Sequence, residues 1–345
     1  MRAMILAGGK STRLYPLTLR VPKPLVPVAG EPIASLVMRY LASYGIGDVA
    51  INVHYHGQAV EDRFGDGSDY GVRLSYLREP VLLGSAGAVK QMSAFFDGTF
   101  VVIGCDDLTD APLDDLIAFH RRSGAVATIG LVHADDVSQY GAVVVDARGK
   151  ILEFQEKPPK GTERSNLVNT GIYIFEPAIL ERIPPDEFYD FGKQVFGELL
   201  RDGQAFYGLE LDGAYWCDIG TVPEYRRATA DVLDGRVRLP GGDPVFGVAA
   251  DTLVGDGATI EGRLCVGRGV AIGRGARVCG PGVLGNGVRV GAGTVVERSI
   301  LWDGVVVDDG ARVRDCIVGL DYRVAAGAVL EGAVAAVEED DAAVS

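Results

Sequence analysis

Cysteine is scarce: there are five in 345 residues, an odd number, scattered and without a C-x-x-C pair. That usage reads as reduced, mostly structural thiols in a cytoplasmic protein. No apolar run approaches the length of a membrane span. Met1-Arg2 leads directly into an apolar segment, without the basic region, apolar core and cleavage site of a secretory leader. Basic clusters are missing too. Lys and Arg total 33 against 47 Asp and Glu, for a net charge of −14. Such a chain is a poor partner for nucleic acid or an anionic membrane, so any anion site must be a local cationic pocket on an acidic background. Histidine is absent from the C-terminal third, because His54, His56, His120 and His133 all precede it.

Two familiar phosphate loops are also missing from the opening stretch. Gly9-Lys10-Ser11-Thr12 looks like the end of a P-loop, but the first glycine of that motif would fall on Met4, inside an apolar run. The stretch holds no G-x-G-x-x-G, which excludes the dinucleotide-binding fingerprint there. What remains is a globular composition, 48% apolar and 23% charged, long enough for two domains.

The chain is organised around residues 5 to 14. Ala3 to Ala7 reads as a buried strand. It breaks into Gly8-Gly9 and a polar turn carrying Arg13. Glycines after a strand let backbone N–H groups approach a phosphate, and an arginine can hold two phosphate oxygens at once. In Val21-Pro22-Lys23-Pro24, one lysine is held between prolines that restrict the backbone. Two cations and a bare-backbone loop suggest a triphosphate or pyrophosphate site.

Gly8-Gly9-Lys10-Ser11-Thr12-Arg13-Leu14-Tyr15-Pro16-Leu17-Thr18, followed by Lys23-Pro24, resembles the signature of the sugar-1-phosphate nucleotidylyltransferases, the nucleotide-sugar pyrophosphorylases. Ser11 stands where that family usually has a third glycine. The resemblance extends over almost the whole chain. It is closest to bacterial mannose-1-phosphate guanylyltransferases and glucose-1-phosphate nucleotidylyltransferases with a hexapeptide-repeat domain. It implies that Leu6, Ala7, Gly8 and Gly9 line the nucleotide.

Helical spacing of Ile33, Leu36, Val37, Tyr40, Leu41 and Tyr44, with Gly45 as a stop, predicts a helix. Strands are expected at Val49–Val53, Val72–Leu77 and Phe100–Ile103, and helices at Gly57–Phe64 and Ala86–Phe96. Such alternation predicts a largely parallel sheet with ligands beyond its carboxyl strand ends. After Ile103 comes Gly104-Cys105-Asp106-Asp107-Leu108. Spacing alone leaves two readings open, a turn cap or a Mg²⁺ carboxylate. Aligned on Leu108, the resemblance makes Asp106 the metal ligand, with Asp107 as a second carboxylate able to share the role. Gly84-Ser85-Ala86-Gly87 reads by itself as a tight turn and close packing. The resemblance lays Gly84, Ser85 and Gly87 against the base.

Ala125–Val132, Gly141–Val145 and Ile151–Gln155 read as strands, with Arg148-Gly149 as a hairpin turn. Three short motifs follow in the order of the resembling family, which assigns them to the sugar phosphate: Tyr140-Gly141, Glu156-Lys157-Pro158 and Asn169-Thr170. Glu156 would take sugar hydroxyls and Lys157 the sugar's phosphate. Asp190-Phe191-Gly192-Lys193 also resembles the family, although Lys193 reads equally as a partner for acidic neighbours. Thr221 is a candidate N-cap, with Pro223 and Glu224 in the first turn of a helix to about Leu233. Asp218 reads either as part of that cap or, from the resemblance, as the second metal carboxylate.

From Arg236 the pattern changes. Val254, Ile260, Val266, Ile272, Val278, Leu284, Val290 and Val296 recur every six residues, many followed by glycine. This is the hexapeptide repeat of a left-handed parallel β-helix. The period slips near Trp302, resumes at Val307 and Val313, slips again, and returns at Val318, Val324 and Leu330. The expected organisation is an α/β Rossmann-like nucleotidyltransferase domain with a mixed, mainly parallel sheet at residues 1–235, a β-helix at 236–335, and a frayed acidic tail at 336–345.

Three functions fit this plan: a nucleotidylyltransferase, a hexapeptide acyltransferase, and a non-catalytic regulatory subunit. A β-helix without histidine lacks the general base such acyltransferases generally use, so it is expected to serve structure and homo-oligomerisation. The retained set of Arg13, Lys23, Asp106, Lys157 and Asp218 argues against a regulator. The resemblance therefore implies Mg²⁺-dependent transfer of a nucleoside monophosphate from an NTP to a sugar-1-phosphate. The guanylyltransferase of mannose-1-phosphate comes first, and a uridylyl- or thymidylyltransferase of glucose-1-phosphate or a sugar analogue is the alternative. The implied catalytic residues are Arg13, Lys23, Asp106 and Asp218, with the metal on Asp106 and Asp218.

Overall fold

The computed structural model describes residues 1–239 and 247–337; the acidic run Glu338-Glu339-Asp340-Asp341 lies outside them. Contacts divide the chain into two compact units that do not follow chain order. One is Met1–Gly9 with Ala34–Asp218, and the other is Lys10–Ile33 with Ile219–Ser345.

The first unit is built on a nine-stranded mixed sheet. Arg2–Leu6 runs parallel between Asp48–Val53 and Phe100–Gly104, and Arg73–Arg78 extends the parallel part. The three inner strands are apolar nearly throughout because a parallel sheet is covered on both faces, while the edge strand Arg73–Arg78 alternates with polar residues. Leu167–Phe175 turns the sheet antiparallel, pairing with Phe100–Gly104 and Ala127–His133. Gly141–Val145 and Ile151–Glu156 form the hairpin expected at Arg148-Gly149, where Gly149 takes φ 80.

Helix α1 (Ile33–Ser43) buries Ile33, Leu36, Val37, Tyr40 and Leu41, the stripe read from the sequence. Helix α2 spans Gly57–Phe64 as expected. Helix α3 occupies Gly84–Gln91 rather than Ala86–Phe96. Its last turn tightens as Met92 N–H reaches back to Val89 O (3.1 Å), and Ser93–Phe95 continues as a short 3₁₀ turn. Helix α4 (Leu113–Ser123) was not among the expectations. Leu113, Leu116, Ile117 and His120 form its buried stripe, with Asp114 and Asp115 in the first turn, and the short helix α5 follows at Phe196–Arg201. Behind the sheet an aromatic core includes Phe96 stacked on Phe100 at 4.1 Å and Phe175 stacked on Phe191 at 4.7 Å.

In the second unit the repeats coil into a left-handed β-helix with three parallel sheets of six, five and five strands. Val266 pairs with Leu284, 18 residues on, and Leu284 pairs with Leu301, 17 residues on. The slip in the six-residue period is therefore one residue dropped from a corner, with every inward aliphatic position kept in register. Val266, Ile272, Val278, Leu284, Val290, Val296, Leu301, Val307 and Val313 fill the prism. Helix α6 (Val222–Leu233) is capped as predicted: Thr221 Oγ1 accepts from Glu224 N–H (3.4 Å) and donates to Glu224 Oε2 (2.9 Å). Among the described residues no helix is long and apolar enough to cross a membrane.

Leu301 has no exposed surface, whereas Leu253 in the first coil is 71% exposed. Leu301→Ala should cost about 2–5 kcal/mol, and Leu253→Ala no more than about 0.5 kcal/mol. Denaturant midpoints of the two variants check this; equal shifts would contradict the inward register.

Candidate active site

The Gly-Gly loop opens at a carboxyl strand end of the first unit. Cys105 N–H donates to Leu6 O (3.0 Å), so the loop after Leu6 and the segment carrying Asp106 leave the sheet side by side. Ala7 N–H donates to Asn52 Oδ1 (2.7 Å), Asn52 Nδ2 donates to Glu79 Oε2 (2.5 Å), and Leu83 N–H donates to Glu79 Oε1 (3.2 Å). Asn52 and Glu79 are each only 4% exposed. This buried chain ties the loop at Ala7 to the turn before α3. A Cβ at position 8 would lie 2.7 Å from Asn52 Nδ2 and 2.9 Å from Glu79 Oε2, so Gly8 is required by its neighbours, while Gly9 faces open space. Sequence reasoning assigned Asn52 and Glu79 no role; the signal was a lone amide in an apolar strand and a carboxylate directly after the next.

Three carboxylates gather next. Trp216–Asp218 pairs antiparallel with Asp107–Thr109, which puts Asp218 opposite Asp107. The ladder is extended by Tyr215 N–H donating to Asp110 Oδ1 (2.7 Å) and Thr109 Oγ1 donating to Tyr215 O (2.8 Å). Asp107 is buried; its Oδ2 accepts from Gly104 N–H (2.9 Å) and its Oδ1 from Trp216 Nε1 (3.1 Å). Burial, then the negative charges of Asp106 and Asp218, push its carboxyl well above the usual carboxylate range. The Asp106 and Asp107 oxygens each lie 2.7 Å from where a Cβ on Gly104 would stand. Asp106 and Asp218 are both half-buried.

Trp216 links this cluster to the sugar-side motifs. Its Nε1 also donates to Thr170 O (3.0 Å), and its ring meets Tyr140 edge to face at 5.3 Å. Lys157 N–H donates to Tyr140 O (3.0 Å), and Lys157 itself takes φ 45. Gly141 lies under the Phe154 ring, where a Cβ would approach to 2.5 Å. Asn169 Nδ2 donates to Tyr173 OH (2.8 Å), and its Oδ1 accepts from Gly171 N–H (2.9 Å). The Thr170 hydroxyl is buried and donates to Gly130 O (2.7 Å), so that side chain pins the strand and only its carbonyl reaches Trp216.

Glu156 lies against Gly192, and burial followed by the charge of Asp190 raises its carboxyl. Asp190 Oδ1 accepts from Gly192 N–H (3.0 Å) and Lys193 N–H (3.3 Å), while its Oδ2 accepts from Ser85 Oγ (2.9 Å). The buried Phe191 fixes this turn in the aromatic core. Gly84 and Gly87 pack on the same segment: added Cβ atoms would lie 2.5 Å from Tyr189 O and 3.0 Å from Glu187 O. Both glycines thus pack closely here, and Ser85 is the polar link to Asp190.

Arg13 and Lys23 belong to the second unit. Ser11 adopts φ 51 and ψ 43, a left-handed conformation that glycine enters freely and an L-residue at a cost of roughly 1 kcal/mol. Ser11 O accepts from Leu14 N–H (3.0 Å) and Thr18 Oγ1 (2.9 Å), which holds the turn that presents Arg13. Ser11→Gly should therefore leave the thermal midpoint nearly unchanged, while the β-branched Ser11→Val should lower stability by about 1–3 kcal/mol. Equal melting of the two variants would contradict the backbone assignment.

Residues 2–235 match the family model of the nucleotidyl transferases, and residues 254–342 match the GlmU-like C-terminal hexapeptide model. The chain is 36% identical over 338 residues to a Synechocystis protein named UTP–glucose-1-phosphate uridylyltransferase, covering 92% of this chain and 87% of that one. It is also 36% identical over 319 residues to the mannose-1-phosphate guanylyltransferase of Mycobacterium tuberculosis, covering 89% and 81%. A solved Bacillus anthracis structure, named as a glucose-1-phosphate thymidylyltransferase with sucrose bound, superposes with a TM-score of 0.61 at 26% identity, over 67% of this chain and 94% of that one. With a nucleotidyltransferase sheet, a hexapeptide β-helix and relatives spanning nearly all of its length, this chain belongs to the nucleotidyl transferase family.

Proposed function

We propose that the protein transfers a nucleoside monophosphate from an NTP to a sugar-1-phosphate, releasing pyrophosphate. The observation that supports it best is the connected set in the first unit, where Trp216 joins Asp107, the middle of the three carboxylates, to Tyr140, and the Tyr140 carbonyl accepts from Lys157 N–H. Mannose-1-phosphate with GTP is the pairing proposed first, in line with the Mycobacterium relative. Glucose-1-phosphate with UTP or dTTP is the second reading, in line with the Synechocystis relative.

A divalent cation fits the carboxylates. Like charges crowd one another there, as the raised Asp107 carboxyl reflects. Among the described residues no cluster of three or more His, Cys, Asp or Glu is arranged as a complete metal cage. Mg²⁺ typically takes one or two carboxylates and completes its shell with phosphates and water. Asp106 and Asp218 would hold it, and when bound it would neutralise charge on the reacting phosphates.

The nucleophile, a phosphate oxygen of the sugar-1-phosphate, is already an anion, so no general base is required. The protein's task is to align two anions and screen their repulsion. Lys157 would hold the sugar's phosphate and Glu156 its hydroxyls, with Asn169 and Gly141 shaping the sugar side. Lys23 would bind the reacting phosphates of the nucleotide and Arg13 the departing pyrophosphate. Leu6 to Gly9 would receive the nucleotide. The β-helix is proposed to support a homo-oligomer.

The test is a matrix of NTPs against hexose-1-phosphates, read by pyrophosphate release with and without EDTA. One pair should dominate, and excess chelator should abolish it; release that needs no sugar phosphate, or undiminished turnover in EDTA, would contradict the reading. Within the favoured pair, Lys157→Ala should raise the KM for sugar-1-phosphate by about 10- to 100-fold and leave that for NTP nearly unchanged. The opposite split would reverse the two halves of the site.

A further inference from the structure

Trp302 stands in a place the repeat reserves for glycine. The residue after the inward aliphatic is Gly267 and Gly285 in the preceding coils and Gly319 in the next, all in one column of the β-helix. An indole at that corner projects from the prism, yet Trp302 is only 3% exposed. What it meets is helix α6. Its Nε1 donates to Tyr225 OH (2.9 Å), and the two rings cross at 88° with centroids 6.3 Å apart. Tyr225 has no exposed surface, and its hydroxyl donates onward to Pro27 O (2.6 Å).

Pro27 begins a small hairpin, Pro27–Val28 with Glu31–Pro32, four residues after Lys23. The intervening chain is stiff. Leu25 N–H reaches Pro22 O (2.8 Å), Val26 N–H reaches Lys23 O (3.0 Å), and Ile33 N–H returns to Val26 O (3.0 Å). Pro22 and Pro24 are buried on either side of the lysine. A second tie comes from another coil of the β-helix, where Cys265 Sγ lies 3.2 Å from Ala29 O. All of these residues are in the second unit. The segment carrying Lys23 is thus moored by two carbonyls, one through Tyr225 to Trp302 and one directly to Cys265.

We propose that Tyr225 and Trp302 are positioning residues for Lys23, so that the β-helix sets the geometry of a nucleotide-binding lysine as well as serving assembly. The catalytic part of this inference rests on the role given to Lys23 above; the mooring itself does not. A Trp–Tyr–carbonyl chain is directional. Loss of its middle hydroxyl leaves a buried carbonyl and a buried indole N–H without their partner, and the cheapest relief is movement of the segment around Pro27.

Two measurements on the full-length protein test it. The first is hydrogen exchange without substrates. In Tyr225→Phe the amides of Leu25, Val26 and Ile33 should exchange about three- to tenfold faster, the effect of one hydrogen bond, while the ladder amide of Gly285 keeps its protection. Unchanged exchange at all three amides would overturn the mooring. The second is steady-state kinetics of Tyr225→Phe and the milder Trp302→Phe. Each should raise the KM for the nucleotide about three- to tenfold, leave the KM for sugar-1-phosphate unchanged, and add nothing further in a Lys23→Ala background. A purely structural role would instead lower the melting temperature and the active fraction with both KM values intact, and its cost would add to that of Lys23→Ala; that result overturns the positioning role. If the wild-type protein transfers no nucleotide to any sugar phosphate, the functional reading falls, and the exchange experiment still decides the mooring.

Discussion

Crowding of like charge is the constraint on which the rest of this site depends. Asp106, Asp107 and Asp218 are brought together by main-chain register, and the whole chain carries a net charge of −14. Carboxylates in such proximity repel by several kcal/mol unless a proton or a cation intervenes. Asp107 is buried and satisfied by two donors, Gly104 N–H and the Trp216 indole, and the half-buried Asp106 and Asp218 are the pair proposed to hold a divalent ion. The proposed substrates, an NTP and a sugar-1-phosphate, would add negative charge and need the same relief. On that reading Arg13, Lys23 and Lys157 would supply it, each from its own turn. Two of those turns contain residues with positive φ, Ser11 and Lys157, and the third is clamped by prolines.

The positions of these groups are set by hydrogen-bonded chains more than by any single contact. Asn52 and Glu79 lie beneath the Gly-Gly loop, Trp216 spans the carboxylates and Tyr140, and Asp190 joins Ser85 to the turn beside Glu156. The Asn52–Glu79 chain is buried and the other two are half-buried, so an incomplete one would carry a desolvation cost of up to about 1–3 kcal/mol per orphaned group. That cost favours the complete chains, and no disulfide contributes, since the five cysteines are free.

Much of this was legible in the sequence, for identifiable reasons. The strand at Ala3–Ala7, helix α1, the Thr221 cap and the β-helix follow from apolar period, capping chemistry and a six-residue repeat, all of them local signals. Helix α4 carries the same local signals, a buried stripe at 113, 116, 117 and 120 with acids in its first turn. Asn52, Glu79 and Trp216 are different. Their roles rest on partners 27 to 109 residues away; a lone amide in an apolar strand and a carboxylate after the next mark Asn52 and Glu79 as unusual, but neither identifies the partner. The same holds for Lys10–Ile33. It reads as part of the first domain by position, but it packs with α6 and the β-helix because Tyr225, Trp302 and Cys265 reach it. Gly84 and Gly87 add a further long-range contact, close packing on Tyr189 and Glu187.

The central claim is that the reaction joins the α-phosphorus of an NTP to the phosphate of a sugar, with alignment and charge neutralisation as the protein's whole contribution. Isotopic labelling tests it most directly. With the favoured substrate pair, label at the α-phosphorus should appear quantitatively in the nucleotide-sugar, and label at the γ-phosphorus quantitatively in pyrophosphate. Transfer of the γ-label to the sugar phosphate, or its release as orthophosphate, would contradict the account.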